Sequence, residues 1–430
     1  MRWQRTLWII FFAQLVTSMG FSIIYPFLPL YVNELGTNTN ISLSFWSGMV
    51  FSSQAITMTI SAPIWGAIAD RYGRKLMVQR AIFSGVILLV LMGFARSAEE
   101  LTLLRTIQGL TTGTVAAASA LVAAETPRER MGYSMGIVQL ALWLGVAIGP
   151  MIGGIIADSY GFQMPNFVAA VMLFIAGLAV HFGVKENFNP EHRKKNRNTG
   201  FVSEWKHVLG MRGVLQTYSI RFMMGLCRSM LTPVIPLYVM MLMTESMENS
   251  FTLIPEPFAY FAVAFLGIST ITGIVVGAES AASTVSGIYF GRLGDRIGHR
   301  RVIMLCSVIG FVFFLPQAFA VNVWQLLALM FLGGFAVGGL VAAPSALLTQ
   351  FTERGEEGAV FGLDNSVVAG ARAIAPLLGS GIAAIFGLRV AFIVASVMIG
   401  SVFLIAMFIL PKNPKQHQDE RLSARPVPAD

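Results

Sequence analysis

Twelve apolar runs, each about as long as a bilayer is thick, follow one another between short polar breaks, and this succession constrains the chain more than any other feature. The runs cover approximately residues 7–31, 44–66, 76–95, 101–123, 133–157, 164–184, 213–243, 262–290, 302–320, 324–349, 358–385 and 389–410. Crossing a hydrocarbon core takes about 20 residues of helix. Only helices and closed barrels satisfy every backbone group in lipid, and runs of this length are helices. Of the 430 residues 55% are apolar and only 12% charged, against about 25% charged in an ordinary soluble domain. So few charges cannot cover a water-facing surface, and lipid is the solvent for much of the chain.

The net charge of +8 does not read as a nucleic-acid footprint, because Lys and Arg sit in short clusters between the apolar runs. The first run, from Leu7 to about Val32, is too long for the apolar core of a secretory signal and is read as the first span. Cys227 and Cys306 both lie inside apolar runs and form neither a disulfide framework nor a metal-ligand spacing. The five His are scattered, and no phosphate-binding loop of the GxxxxGK[ST] type occurs. The expectation is therefore no enzyme chemistry, no cofactor, no metal and no coupling to ATP.

Orientation follows from the basic residues. With the N-terminus inside, only Arg96 and Arg389 fall in external loops. Arg105, Arg221, Arg228 and Arg372 fall within spans, and the remaining Lys and Arg face the cytoplasm. That distribution obeys the positive-inside rule. Both termini are expected in the cytoplasm, and the protein in the plasma membrane. Residues 185–212 carry Lys185, Arg193, Lys194, Lys195 and Arg197 among Asn and Pro and read as a cytoplasmic linker on anionic headgroups. Residues 411–430 read as a polar, disordered cytoplasmic tail.

The chain repeats itself. Pro26-Phe-Leu-Pro29-Leu-Tyr-Val32 returns as Pro233-Val-Ile-Pro236-Leu-Tyr-Val239, and Gly66-Ala-Ile-Ala-Asp70-Arg71-Tyr-Gly73 as Gly291-Arg-Leu-Gly-Asp295-Arg296-Ile-Gly298. Two six-helix bundles, residues 1–184 and 213–410, are expected around an axis along the membrane normal, with the substrate path between them. The fold class is thus all-α, with twelve transmembrane helices in two pseudo-symmetric bundles. The first and seventh spans should pack as counterparts.

Three motifs resemble those of the major facilitator superfamily, and the resemblance spans essentially the whole chain. Gly66 to Lys75, with Asp70, Arg71, Gly73 and Arg74, is similar to the family's cytoplasmic signature between spans 2 and 3. Arg105-Thr-Ile-Gln108-Gly109 is similar to its intramembrane RxxQG. Gly136, Gly145, Gly149-Pro150 and Gly153-Gly154 on span 5 resemble the signature of the drug:proton antiporter branch. The resemblance implies a twelve-helix bacterial multidrug-resistance protein, acting as a monomer on small lipophilic substrates and protons.

It also implies roles for these residues. Asp70 would meet the free N–H groups at the start of span 11 near Gly358 and lock the cytoplasmic side while the pump faces outward. A carboxylate at a helix N-terminus gains about 0.3–1 kcal/mol. Asp295 and Arg296 would mirror this against span 5 near Gly132; alternatively the basic residues of both copies only set topology. The span 5 glycines leave a face almost without side chains, on which another backbone can pack closely, and Pro150 removes a hydrogen bond and favours a kink. In the family that packing seals the halves against leakage; the alternative is tight packing with no bearing on direction.

Charges inside the membrane cost about 2.5–3.5 kcal/mol each on insertion scales and call for a reason. At 1.5 Å per residue, Glu279 lies ~18 Å from the cytoplasmic end of its helix, Arg228 and Arg372 ~21 Å, and Asp364 and Arg221 ~10–12 Å. Two depth-matched sets follow: Glu279 with Arg228 and Arg372, and Asp364 with Arg221. Their repeat equivalents, in the same order Gln54, Phe21, Val146, Val138 and Gln14, are all uncharged. Glu279 is the first candidate for proton carrier, since desolvation favours a neutral carboxyl and a nearby Arg the charged one; a static ion pair is the alternative. Asp364 and Arg105 are the further coupling candidates. A metabolite importer or uniporter, and more remotely a membrane sensor, are the rival functions.

Overall fold

The structure is a computed structural model that describes residues 2–111, 113–127, 130–184, 209–210, 213–248, 267–351 and 357–411. All but two residues of the linker at 185–212, nearly all of the tail at 411–430, and residues 249–266 lie outside that set. The described residues are helical throughout, with no strand. Span 1 is α1 (Arg2–Ile24) and α2 (Leu28–Leu35), span 2 is α3 (Leu43–Tyr72) and span 3 is α4 (Arg74–Gly93). Span 4 is α5 (Ala98–Thr111) and α6 (Thr114–Glu125), span 5 is α7 (Met131–Tyr160) and span 6 is α8 (Met164–Gly183). Span 7 is α9 (Val214–Leu231) and α10 (Val234–Glu248), span 8 is α11 (Ile268–Ile297) and span 9 is α12 (His299–Phe314). Spans 10 to 12 are α13 (Val323–Phe351), α14 (Glu357–Phe386) and α15 (Leu388–Leu404).

Among the described residues nine helices are long and apolar enough to cross a membrane, and ten when α9 and α10, bent by 41°, count as one span. The twelve-span pattern is completed by α3 and by the pair α5 and α6, parted at Gly113, whose φ is 135°. Both first spans break where the repeat places its prolines. Tyr25–Phe27 forms a 3-10 turn around Pro26, and α9 gives way to α10 at Thr232-Pro233, because proline withholds an N–H from the helical ladder.

Helices outrun the apolar windows in several places. Gly66 to Tyr72 and Gly291 to Ile297 are helical rather than loop, and α10 continues five residues past 243, to Glu248. Hydropathy marks where lipid ends, not where the backbone stops bonding to itself. What ends α3 and α11 is glycine: Gly73 and Gly298 have φ of 98° and 93°, a conformation that residues with a Cβ rarely adopt.

Packing repeats with the sequence. α1 lies against α7 and α8, and α9 against α14 and α15. Likewise α3 packs on α5 and α11 on α13, while α4 meets α8 and α12 meets α15. One apolar core draws only on residues 7–184 and another on 220–410. Equivalent tyrosines pin equivalent helices: Tyr31 donates to the Met92 carbonyl at 2.9 Å and Tyr238 to that of Gln317 at 2.9 Å. Each is fully buried. The halves touch through α7 with α11 and through α3 with α14, two interfaces that the repeat interchanges.

Candidate transport site

The α7 glycines build close backbone contacts on both sides of their helix. A Cβ at Gly145 would stand 2.7 Å from the Leu15 carbonyl oxygen, and one at Gly149 2.8 Å from that of Met19. At Gly153 it would collide with the Ile23 carbonyl. These three seat α7 on α1. Gly154 faces the other way, onto the backbone of Ser269 and Thr270, and from α11 Gly273 returns the contact against the Pro150 carbonyl. One helix therefore touches backbone on both sides, in both halves of the chain. Gly136 is not part of this seam, since no atom lies within 4 Å of its would-be Cβ.

Every glycine contact between the halves lies toward the end of the bundle that carries Gly161 and Gly387, among the described residues. On the second interface Gly48 of α3 packs on Ser380 and on the Pro376 carbonyl of α14. At the opposite end Gly136, Gly291 and Gly362 meet nothing within 4 Å, and Asp295 and Arg296 are exposed. The halves meet toward the Gly161 end, beside a cavity of about 550 Å³ lined by Ser44, Pro233, Met240, Glu245, Ser380 and Leu388, and among the described residues no glycine contact joins them at the Gly73 end.

Near the middle, the repeat places two sites of unlike chemistry at equivalent positions. Gly109 of α5 packs on the Gln54 carbonyl of α3, and Gly334 of α13 packs in the same way on the Glu279 carbonyl of α11. This shared contact aligns Gln54 with Glu279, Arg105 with Met330 and Gln108 with Gly333. In the first half Arg105 is 2% exposed and donates to Gln108 Oε1 at 2.7 Å, which also accepts from Gln54 Nε2 at 3.2 Å. The guanidinium lies 5.7 Å from the centre of the Tyr25 ring, leaving Nε and one amino group without a partner. In the second half Glu279 is 8% exposed beside a cavity of about 20 Å³ lined by Met224, Cys227, Arg228, Phe314 and Met330. That is room for about one water molecule.

Glu279 makes no hydrogen bond, and no cation lies within 4 Å of it among the described residues. The expected ion pair with Arg228 or Arg372 is therefore not formed here. Arg228 shares the cavity but turns its guanidinium toward α7, 5.9 Å from the centre of the Trp143 ring. Arg372 is exposed. The second set does meet. Arg221 on α9 grips Asp364 on α14 with two hydrogen bonds, Nε to Oδ1 at 2.8 Å and Nη2 to Oδ2 at 2.5 Å. Asp364 is 3% exposed, and Tyr218 beside it donates to the Val360 carbonyl at 2.8 Å.

A forked pair of this kind is a clamp between helices. Asp364→Asn strands the Arg221 charge, and breaking one partner of a buried pair costs about 3–5 kcal/mol. The expected outcome is several-fold less folded protein in the membrane, and recovery of that protein when Arg221→Met is added. Size-exclusion yields of the two variants check this; equal wild-type yields from Asp364→Asn would show that the pair carries no load.

The lock residues are divided. The side chains of Asp70 and Arg71 lie outside the described set, so the expected contact of Asp70 with span 11 does too. Arg74 opens α4 directly after the Gly73 turn. Asp295 meets its own helical neighbour His299, Oδ1 to Nε2 at 3.4 Å, rather than α7.

One residue escaped the sequence reading. Asp158, near the end of α7, accepts from the backbone N–H of Ser269 at 3.0 Å and of Thr270 at 2.6 Å, and from the Thr270 hydroxyl at 2.6 Å. The signal was present: Ala157-Asp158-Ser-Tyr-Gly161 has the same Asp-x-x-Gly ending as Ala69-Asp70-Arg-Tyr-Gly73. It lies just past the apolar window, where a search for intramembrane charges does not look. No group of three or more His, Cys, Asp or Glu among the described residues is arranged to hold a metal ion.

Two bundles of this packing, joined toward one end around a buried polar centre, are the architecture of a membrane transporter. The profile of the Major Facilitator Superfamily matches residues 10–278 and 257–428, and the chain belongs to that family. Among curated relatives, the multidrug resistance protein MdtG of Proteus mirabilis is 33% identical over 390 residues, covering 91% of this chain and 92% of the relative. MdtG of Salmonella arizonae is 31% identical over 394 residues, 92% of each. In fold, the crystal structure of a point mutant of the nucleoside transporter NupG superposes with a TM-score of 0.75 at 11% identity, covering 94% of this chain and all of that one. A bacterial homologue of the human lysosomal transporter Spinster, solved inward-facing and unoccupied, gives 0.72 at 13% identity and covers 100% of this chain and 99% of that one.

Proposed function

We propose that this transporter exports small lipophilic compounds in exchange for protons, by alternating access across the plasma membrane, as a monomer with both termini in the cytoplasm. The observation that carries the reading is the α7 seam. Gly154 and Gly273 bring α7 and α11 together backbone to backbone across the halves, while Gly145, Gly149 and Gly153 seat α7 on α1, and this seam lies toward the Gly161 end. Positive-inside counting puts that end outside the cell, and the relatives' name supports drugs as cargo. Residues 1–184 and 213–410 act as the two moving bodies, with 185–212 as the linker between them.

In this reading the structure is inward-facing. Substrate enters from the cytoplasmic end and the halves rock to close there. Asp70 and its repeat counterpart Asp295 engage the facing helices, with Gly66, Arg71, Gly73, Arg74 and Arg296 shaping those turns. Glu279 carries the proton. It is the acid left without an ion partner at the centre. Removal from water favours a neutral carboxyl, and a guanidinium or water that reaches it favours the charged one. Arg228 shares its cavity and is the cation nearest to hand for that step, with Arg372 beyond it. Arg105, with no acid beside it, sets the field in the first half. Asp364 and Arg221 hold α9 to α14 as the frame.

The test is drug accumulation in a host lacking its own pumps, with and without a proton uncoupler. Expression should lower accumulation, and the uncoupler should abolish the difference. Raised accumulation on expression would favour an importer instead.

A further inference from the structure

We propose that Asp158 is a state-specific latch, a positioning residue that caps α11 from the other half of the protein only while the Gly161 end is closed. The inference rests on the alternating-access reading above, but it names a contact which that reading does not need.

The first turn of α11 lacks a cap of its own. The residue before it is Gly267, which has no side chain to offer, and no side-chain hydrogen bond is made at that position. Free N–H groups at a helix start carry a partial positive charge and favour an anion. Asp158 supplies it across the interface, taking two backbone N–H groups and the Thr270 hydroxyl. Gly267 is part of the fit, because a Cβ there would overlap the Asp158 carboxylate. Asp158 belongs to α7 and its three donors to α11, so any motion that separates these helices at this end breaks all three bonds together. The same helix carries Glu279 two and a half turns further on. The latch thus fixes the end of the element that holds the acid.

The contact stands at the rim, with Asp158 exposed, so its contribution is that of a helix-end charge rather than of a buried pair. Losing it should shift the balance toward the open form about two- to five-fold. A reporter already exists at the other interface: Ser380 borders the cavity at this end but is itself only 4% exposed and packs on Gly48. In a Ser380→Cys background, a membrane-impermeant maleimide reads opening of this end without substrate or protons. The native Cys227 and Cys306 are buried, and the parent without Ser380→Cys gives their background rate.

Asp158→Asn and Gly267→Ala should each speed labelling, per folded protein, by about two- to five-fold. Thr270→Val should give a smaller rise, and Thr270→Ser, which keeps the hydroxyl, none. An unchanged rate in both Asp158→Asn and Gly267→Ala overturns the latch. If Asp158→Asn gives too little folded protein, Gly267→Ala decides alone. Because labelling requires neither drug nor gradient, failure of the export reading leaves this outcome standing or falling by itself.

Discussion

Glu279→Gln should collapse the substrate gradient from about fifty-fold per 100 mV to about one-fold, while exchange of substrate across the membrane continues. The magnitude follows from the driving force, since one charge crossing 100 mV is worth about 2.3 kcal/mol. A glutamine keeps the size and polarity of the neutral acid, so the site at α11 stays filled and the α11–α13 packing through Gly334 is untouched. What it loses is the ability to release a proton. Glu279→Asp should retain part of the transport with a displaced pH optimum. Counterflow of labelled substrate in proteoliposomes, with and without an imposed gradient, checks this. Uncoupler-sensitive export by Glu279→Gln would place the carrier elsewhere, and Asp364 would then be examined next.

The second large effect is expected at Gly153. Any side chain there meets the Ile23 carbonyl, a backbone atom that cannot step aside, so α7 must move off α1. Overpacking a close contact costs about 1–3 kcal/mol, lost from the α1–α7 packing that holds the first half together. Gly153→Val should therefore transport at less than about a tenth of the normal rate. Gly136→Ala, with open space around it, should behave as wild type although it belongs to the same motif. The pair is read from initial export rates normalised to protein in the membrane. If Gly136→Ala is as damaging as Gly153→Val, the motif acts through something other than this seam.

The spans and the repeat were legible because lipid demands long apolar runs and a repeat preserves their order. The matching breaks at Pro26 and Pro233 could be anticipated from the chemistry of proline. Helix ends could not be taken from hydropathy, since Asp70-Arg-Tyr and Asp295-Arg-Ile remain helical beyond the apolar window and only the next glycine stops them.

At the site, counting residues along helices placed Arg221 beside Asp364, because both sit on helices that run against one another. The same counting paired Glu279 with Arg228 and Arg372, and there it fell short. Depth along a helix says nothing about the direction in which a long side chain turns, and Arg228 turns toward Trp143. Asp158 was missed for a different reason. Its partners are main-chain N–H groups 111 and 112 residues away, which no composition or charge pattern displays.

The central claim, exchange of substrate outward for protons inward, is tested most directly by proton movement in inverted membrane vesicles. With the vesicle interior acidified and a pH-sensitive dye inside, adding a transported lipophilic drug should discharge the gradient at a rate that saturates with drug. Vesicles carrying Glu279→Gln should show no such discharge. Proton loss that is unaffected by drug, or a drug-driven proton flux in the opposite direction, would contradict the account.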